Sequence, residues 1–178
     1  MKITHYCVLS NCQLRAKTQR GFSLVELMVA IAVLAVLSSI AIPSFNEIIM
    51  STKLRSYANS FIASATLARS VAINNRSVVR LCASNNGTSC TGSWQNGWIV
   101  IRADNTVIER QLATTDGYLI TEASGINTLN FQSTGLGSTQ AALTICRATP
   151  VVGDQERVVR ISATGKPTIT KTTAGACS

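Results

Sequence analysis

The stretch KTQRGFSLVELMVAIAVLAVLSSIAIPSF, Lys17 to Phe45, sets one carboxylate, Glu26, near the start of an apolar run that follows a basic tail and a glycine. From Phe22 to Ile42 no other side chain is charged. About 20 apolar residues at helical rise cover a bilayer core of about 30 Å, so the run is long enough to span. A secretory signal peptide would show a shorter apolar core with a small-residue cleavage site beyond it; here Pro43 follows instead. The basic residues ahead of the run are expected to hold the N-terminus in the cytoplasm. A plain anchor leaves Glu26 unexplained, because a carboxylate costs about 2.5–3.5 kcal/mol near the centre of a spanning helix and somewhat less toward its end. A cut between Gly21 and Phe22 would place a new amine four residues, one helical turn, from Glu26. That amine could neutralise the carboxylate in its own or a neighbouring subunit.

Composition narrows the function classes. The 178 residues suit one ordinary domain plus an appendage. Basic residues outnumber acidic ones 16 to 8, but Lys2, Arg15, Lys17 and Arg20 precede the apolar run with no acid among them, so the remainder is only mildly basic. The sole histidine, His5, also lies in that tail. Removal of the tail leaves no Ser–His or Cys–His nucleophile system and no His-containing zinc site. The carboxylates beyond it are scattered through polar segments, so neither an enzyme nor a cofactor is expected.

The basic leader, Gly21, and then Phe22-Ser23-Leu24-Val25-Glu26-Leu27 resemble the class III signal of type IV pilins and type II secretion pseudopilins. The resemblance implies that a prepilin peptidase cuts after Gly21 on the cytoplasmic side and methylates the Phe22 amine. It also implies that the apolar run becomes the packing stalk of a filament, with Glu26 serving assembly.

Beyond Pro43, which is expected to kink the helix, the residues Ile48, Ile49, Leu54, Tyr57, Ala58, Phe61, Ile62, Ala65, Ala68, Val71 and Ala72 recur mostly at three- and four-residue steps. This is the stripe of an amphipathic helix laid on a core. Past Arg76, SVVRLCA, GWIVIRA, TVIER, INTLNFQ, ALTICRA and RVVRISA are short runs rich in Val, Ile and Thr, separated by turn clusters such as SNNGTS, TDG, GLGS and TGKP. The expected fold is therefore α+β, a long N-terminal helix packed on an antiparallel sheet or sandwich. The expected segments are a cleaved leader over 1–21, a transmembrane and filament-core helix over 22–45, an amphipathic helix over 46–76 and a periplasmic β-rich head over 77–178.

LARSVAINNRSVVRLCAS, WQNGWIVIRADN with Trp94 and Trp98, and RVVRISATGKPTI resemble the H-type pseudopilins and the FimT and FimU minor pilins, a pilin-like fold. The implied partners are the bacterial inner membrane, the prepilin peptidase and other minor pilins or pseudopilins in a pilus or pseudopilus. Cys7 and Cys12 belong to the leader; Cys82, Cys90, Cys146 and Cys177 would enter an oxidising space and suit two disulfides. Three pairings are open. Cys82–Cys90 is favoured by the turn in SNNGTS and Cys146–Cys177 by the tail it would tie down, with about 2.5 and 3.7 kcal/mol from loop closure. A zinc site lacks the Cys-x2-Cys spacing it would need.

A second expectation comes from the same resemblance, since some FimT proteins capture DNA through a basic C-terminal region. Arg147, Arg157, Arg160, Lys166 and Lys171 are the candidates here, opposed by Asp154 and Glu156. The DNA-binding members share a Gly-Arg-x-Arg stretch, whereas this chain has Gly165-Lys166-Pro167-Thr168. Arg157 and Arg160, three residues apart, fall on opposite faces of a strand, and no aromatic residue follows Phe131 for base stacking.

Overall fold

The computed structural model describes residues 21–137, 139–148 and 156–172. They fall into two compact units that divide between Ile42 and Pro43. One helix, α1 (Leu24–Asn74), contributes to both. In the first unit every apolar side chain from Phe22 to Ile42 is exposed, and an 18-residue window of α1 has a mean hydropathy of 2.5. The hydroxyls that interrupt this run are locally satisfied: Ser38 donates to the Leu34 carbonyl at 2.7 Å and Ser39 to that of Val36 at 2.7 Å.

In the second unit Leu54, Ala58, Phe61, Ala65, Ala68 and Ala72 of α1 are buried in one core. Ile48 and Ile49, read from the sequence as part of the same stripe, are exposed. The reason is geometric, since packing on the strands begins only at Leu54. The helix closes at Asn74, two residues earlier than expected, through a hydrogen bond from the Ser77 amide to the Ala72 carbonyl at 3.2 Å. Arg76 takes φ 49 at this C-terminal cap, a left-handed position usually left to glycine.

The strands are β1 (Val79–Ala83), β2 (Gly97–Arg102), β3 (Val107–Leu112), β4 (Tyr118–Glu122), β5 (Thr128–Phe131), β6 (Ala141–Arg147), β7 (Glu156–Ile161) and β8 (Pro167–Thr172). They form two four-stranded antiparallel sheets, ordered β3-β2-β1-β5 and β4-β6-β7-β8. Alternation sends Val79, Leu81, Trp98, Val100, Leu129 and Phe131 of the first sheet, and Tyr118, Ile120, Leu143, Ile145, Val159 and Ile161 of the second, into the core with α1. Phe61 is its centre, with ring centroids 5.4 Å from those of both Trp94 and Trp98 at steep interplanar angles. Both indoles keep their N–H groups satisfied: Trp98 donates to Ser64 Oγ at 2.9 Å and Trp94 to the Ile126 carbonyl at 2.7 Å.

Two strands, β4 and β8, were not among the runs read as strands. Both are edges, and β8 opens on a proline, which an edge strand tolerates because its missing donor faces outward. The tight turn into β8 needs Gly165: its φ is 71, and an added Cβ would stand 2.4 Å from the Gly135 carbonyl oxygen.

Cys82 and Cys90 are joined, with Cα atoms 5.4 Å apart. Their loop folds as its sequence suggests: Asn86 Oδ1 accepts from the Thr88 and Ser89 amides at 2.9 and 3.0 Å, and Ser84 Oγ donates to the Ser89 carbonyl at 2.7 Å. This pins the loop over a small second cluster, Ile99, Ile101 and Val107, on the outer face of the first sheet. Cys146 is disulfide-bonded as well. Its expected partner Cys177 lies outside the described residues, as do Asp154 and the leader cysteines.

Replacing Cys82 and Cys90 together by alanine is expected to lower unfolding stability by about 2.5 kcal/mol from loop closure. A urea melt followed by tryptophan fluorescence checks this, and an unchanged midpoint would refute it.

Candidate functional site

Two groups of residues hold chemistry that core packing does not use. The first is the N-terminal junction. Gly21 is exposed, and no atom lies within 4 Å of where its Cβ would stand. Among the described residues nothing crowds that position. Phe22 is 80% exposed, and α1 begins two residues later with Glu26 in its first turn. The Leu27 amide closes that turn on the Ser23 carbonyl at 3.1 Å. A carboxylate in a first turn also faces the positive end of the helix dipole, worth about 0.3–1 kcal/mol. Ser23 and Glu26 further stand at the spacing of a capping box. The sequence reading missed both points, though the Ser-x-x-Glu spacing signals them.

The second group is cationic, and sheet register divides the C-terminal set expected from sequence. Antiparallel register places Arg157 of β7 directly across from Lys171 of β8, on the face that carries Val159 and Ile161 into the core. Arg160 points to the opposite face, as a three-residue offset requires, and is exposed. Lys166 sits in the β7–β8 turn, five residues and about 17 Å of extended chain from Lys171. Arg147 is paired with Tyr118 in register, and its guanidinium carbon lies 5.2 Å from the Tyr118 ring centroid. The structure thus brings Arg147, Arg157 and Lys171 to one end of the second sheet and leaves Arg160 and Lys166 apart.

Lys53 of α1 joins that end, and Arg55 acts on Arg157 as a like charge. Lys53 and Arg55 flank the buried Leu54, each about 100° around the helix from it. Lys53 Nζ stands 5.8 Å from the centroid of the Tyr118 ring, so two cations address one aromatic ring. Tyr118 is itself fixed against Tyr57, with ring centroids 5.5 Å apart, and the Tyr57 hydroxyl accepts from the Thr115 amide at 3.0 Å. Arg157 is only 8% exposed and donates from Nη1 to the Glu156 carbonyl at 3.1 Å. Burial, followed by the like charge of Arg55, pushes its guanidinium below the usual arginine range. Sequence reasoning grouped the cations by nearness to the C-terminus and so missed Lys53 and Arg55; their places on either side of a stripe leucine were the available signal.

Among the described residues no group of three or more His, Cys, Asp or Glu could hold a metal ion.

Comparison with known proteins gives three findings. The family model described as "Type II transport protein GspH" matches residues 57–165, and that of the "Prokaryotic N-terminal methylation motif" matches residues 16–42. Two fimbrial proteins of Pseudomonas aeruginosa are each 32% identical over 63 residues, 35% of this chain; the match spans 41% of the length of each. Crystal structures of the type IV minor pilin FimU of Pseudomonas aeruginosa share the fold. In one crystal form the TM-score is 0.58 at 20% identity, over 71% of this chain and 96% of that one. In another it is 0.56 at 21% identity, over 70% and 99%.

Arg157→Met keeps volume and removes a buried cation set opposite Lys171 and beside Arg55. It is expected to raise stability by about 0.5–1 kcal/mol, because like charges across a strand pair repel and buried charge is costly. A lower urea midpoint would show instead that the cation contributes to stability.

Proposed function

Because the chain belongs to the family of the type II transport protein GspH, we propose that it is a minor pilin or pseudopilin made as a precursor. In this reading a prepilin peptidase cuts after Gly21 on the cytoplasmic side and methylates the Phe22 amine. The product takes part in assembling or priming a type IV pilus or a type II secretion pseudopilus. The observation that carries the reading is the junction: an uncrowded Gly21-Phe22 bond, then Glu26 in the first turn of a helix whose apolar side chains are all exposed. The match of residues 16–42 to the methylation motif and the fimbrial relatives support it.

The physical logic runs from the exposed run outward. Twenty-one residues with one charge cannot present that surface to water without associating. A bilayer covers it first, with the N-terminus in the cytoplasm, the chain crossing the inner membrane once and the head in the periplasm. Neighbouring helices of the same kind cover it in the filament. In either apolar setting Glu26 is costly alone, and the amine released at Phe22 offsets its charge, so cleavage and assembly competence are one event. The head's part is structural and catalyses nothing. An oxidising periplasm suits Cys82–Cys90 and the proposed Cys146–Cys177 pair.

Mass spectrometry of the processed chain should find an N-terminus at Phe22 carrying one methyl group. Gly21→Val should leave the unprocessed precursor with its head folded. Glu26→Gln should be processed yet lose most of its incorporation into sheared filaments, with an unchanged urea midpoint. Normal incorporation of Glu26→Gln would overturn the charge-pair argument.

A further inference from the structure

A strand at the edge of a sheet offers unpaired N–H and C=O groups to any other chain, and proteins guard such edges with charge, proline, bulges or cover. Among the described residues the head has four edges, β3 and β5 in one sheet and β4 and β8 in the other. On β4 the outward groups of Tyr118 are taken by the chain that leads in. Its amide donates to the Thr115 carbonyl at 3.1 Å, and its carbonyl accepts from Thr114 Oγ1 at 2.9 Å. At the other end of β4 the Glu122 carbonyl accepts from the Gly125 amide at 3.3 Å. β5 has four residues, and just past them the Gln132 amide donates to the Leu136 carbonyl at 2.8 Å. β3 carries Glu109 and Arg110, and its register with β2 shifts between Val100 and Ile101.

β8 is guarded least. It runs for six residues in unbroken register with β7, four of them β-branched, and Thr168 to Lys171 are exposed. Alternation tells which main-chain groups face out. The Ser162 amide donates to the Lys166 carbonyl at 3.2 Å, so residues 168, 170 and 172 bond to β7, while Pro167, Ile169 and Lys171 turn their main-chain groups away from it. Ile169 lies opposite the buried Val159 and is nonetheless 38% exposed.

This outward pattern is complementary to itself. Set antiparallel about Ile169, two copies of β8 exchange two hydrogen bonds between their Ile169 residues, and each Lys171 amide reaches the Pro167 carbonyl opposite. The donor that proline lacks then falls at the two ends. Each lysine faces a proline, and Thr168 faces Thr170 on the other side of the sheet. Centring on Pro167 would remove both middle donors, and centring on Lys171 would set like charges directly opposite.

We propose that a second copy of this chain adds at β8, antiparallel about Ile169, joining two four-stranded sheets into one of eight. The contact covers both Ile169 side chains. Being two-fold, it closes on itself and limits the association to two copies.

Cysteine cross-linking reads the register. The full chain, carrying Cys7→Ser and Cys12→Ser, is held in detergent micelles with a mild oxidant and run on a non-reducing gel. Thr168 of one copy stands opposite Thr170 of the other, at about 4.5 Å between Cα atoms. Two Thr168 residues, or two Thr170 residues, stand about 7–8 Å apart, past the reach of a disulfide. A mixture of Thr168→Cys and Thr170→Cys chains should therefore give a covalent dimer, and neither variant alone should. Ile169→Pro deletes an outward donor and spares the ladder to β7, so it should abolish the band with an unchanged urea midpoint. Ile169→Lys sets like charges opposite and should abolish it too. Without any substitution, the Ile169 and Lys171 amides should exchange with deuterium faster on dilution.

Absence of the mixed dimer overturns the proposal, as does an equal band from either variant alone, the mark of chance collision in a shared micelle. A band that survives either Ile169 variant also overturns it; if Ile169→Pro lowers the midpoint, Ile169→Lys decides. Slow exchange of the Ile169 amide that ignores dilution assigns the edge to a segment of the same chain. Cross-linking to an added minor pilin of another sequence, with none between copies, assigns it to a different protein; either result overturns the proposal.

Discussion

Leu54, Ala58, Phe61, Ala65, Ala68 and Ala72 succeed one another along α1 at alternating steps of four and three, and the head is built around that stripe. Four of the six are alanine, so the backbone of the helix can approach both sheets closely. The volume the alanines give up is filled from the other side, by Trp94, Trp98 and Phe131 of the strands and loops. Phe61 is the one fully buried ring on the helix side, and it meets two indoles edge-on. A larger residue at Ala65 or Ala68 has no room to relax, because interiors at native density transmit strain.

The same helix changes its surroundings along its length, and its two parts differ in what their side chains are for. From Phe22 to Ile42 the apolar residues are exposed all round, which suits neighbours on every side. From Leu54 onward one stripe is buried, and the other faces are largely polar, with Ile62, Val71 and Ile73 among them. The boundary is sharp: Ile48 and Ile49 are still exposed, and at Leu54 burial begins with a cation on each shoulder.

Much of this was legible in the sequence, and for identifiable reasons. The stripe, six of the strands and the Cys82–Cys90 bridge follow from periodicity, β-branched runs and an Asn-Asn-Gly turn, all of them local signals. Strands β4 and β8 were not, since YLITE is short and PTITKT is polar, proline-led and mostly exposed. What identifies them is pairing, with β6 and β7 respectively, and pairing is not local. The cationic candidates were grouped by the same local signal. Arg147, Arg157, Arg160, Lys166 and Lys171 are close in sequence, yet sheet register separates Arg160 and Lys166 from the others, while two helix residues about a hundred positions away complete the group. Glu26 stood out without any structure, because a charge in an apolar run is conspicuous by composition alone.

The loop clipped by Cys82 and Cys90 bears on timing. It roofs Ile99, Ile101 and Val107, a strip that the main core does not reach because it lies on the far side of the first sheet. Until the two sulfurs join, that roof is held by hydrogen bonds within the loop and by those to Thr91, Asn96 and Gly97. Joining them requires an oxidant, which the cytoplasm withholds. The loop therefore ties the closing of this outer wall to the redox state of its surroundings: it is completed only where an oxidant is present.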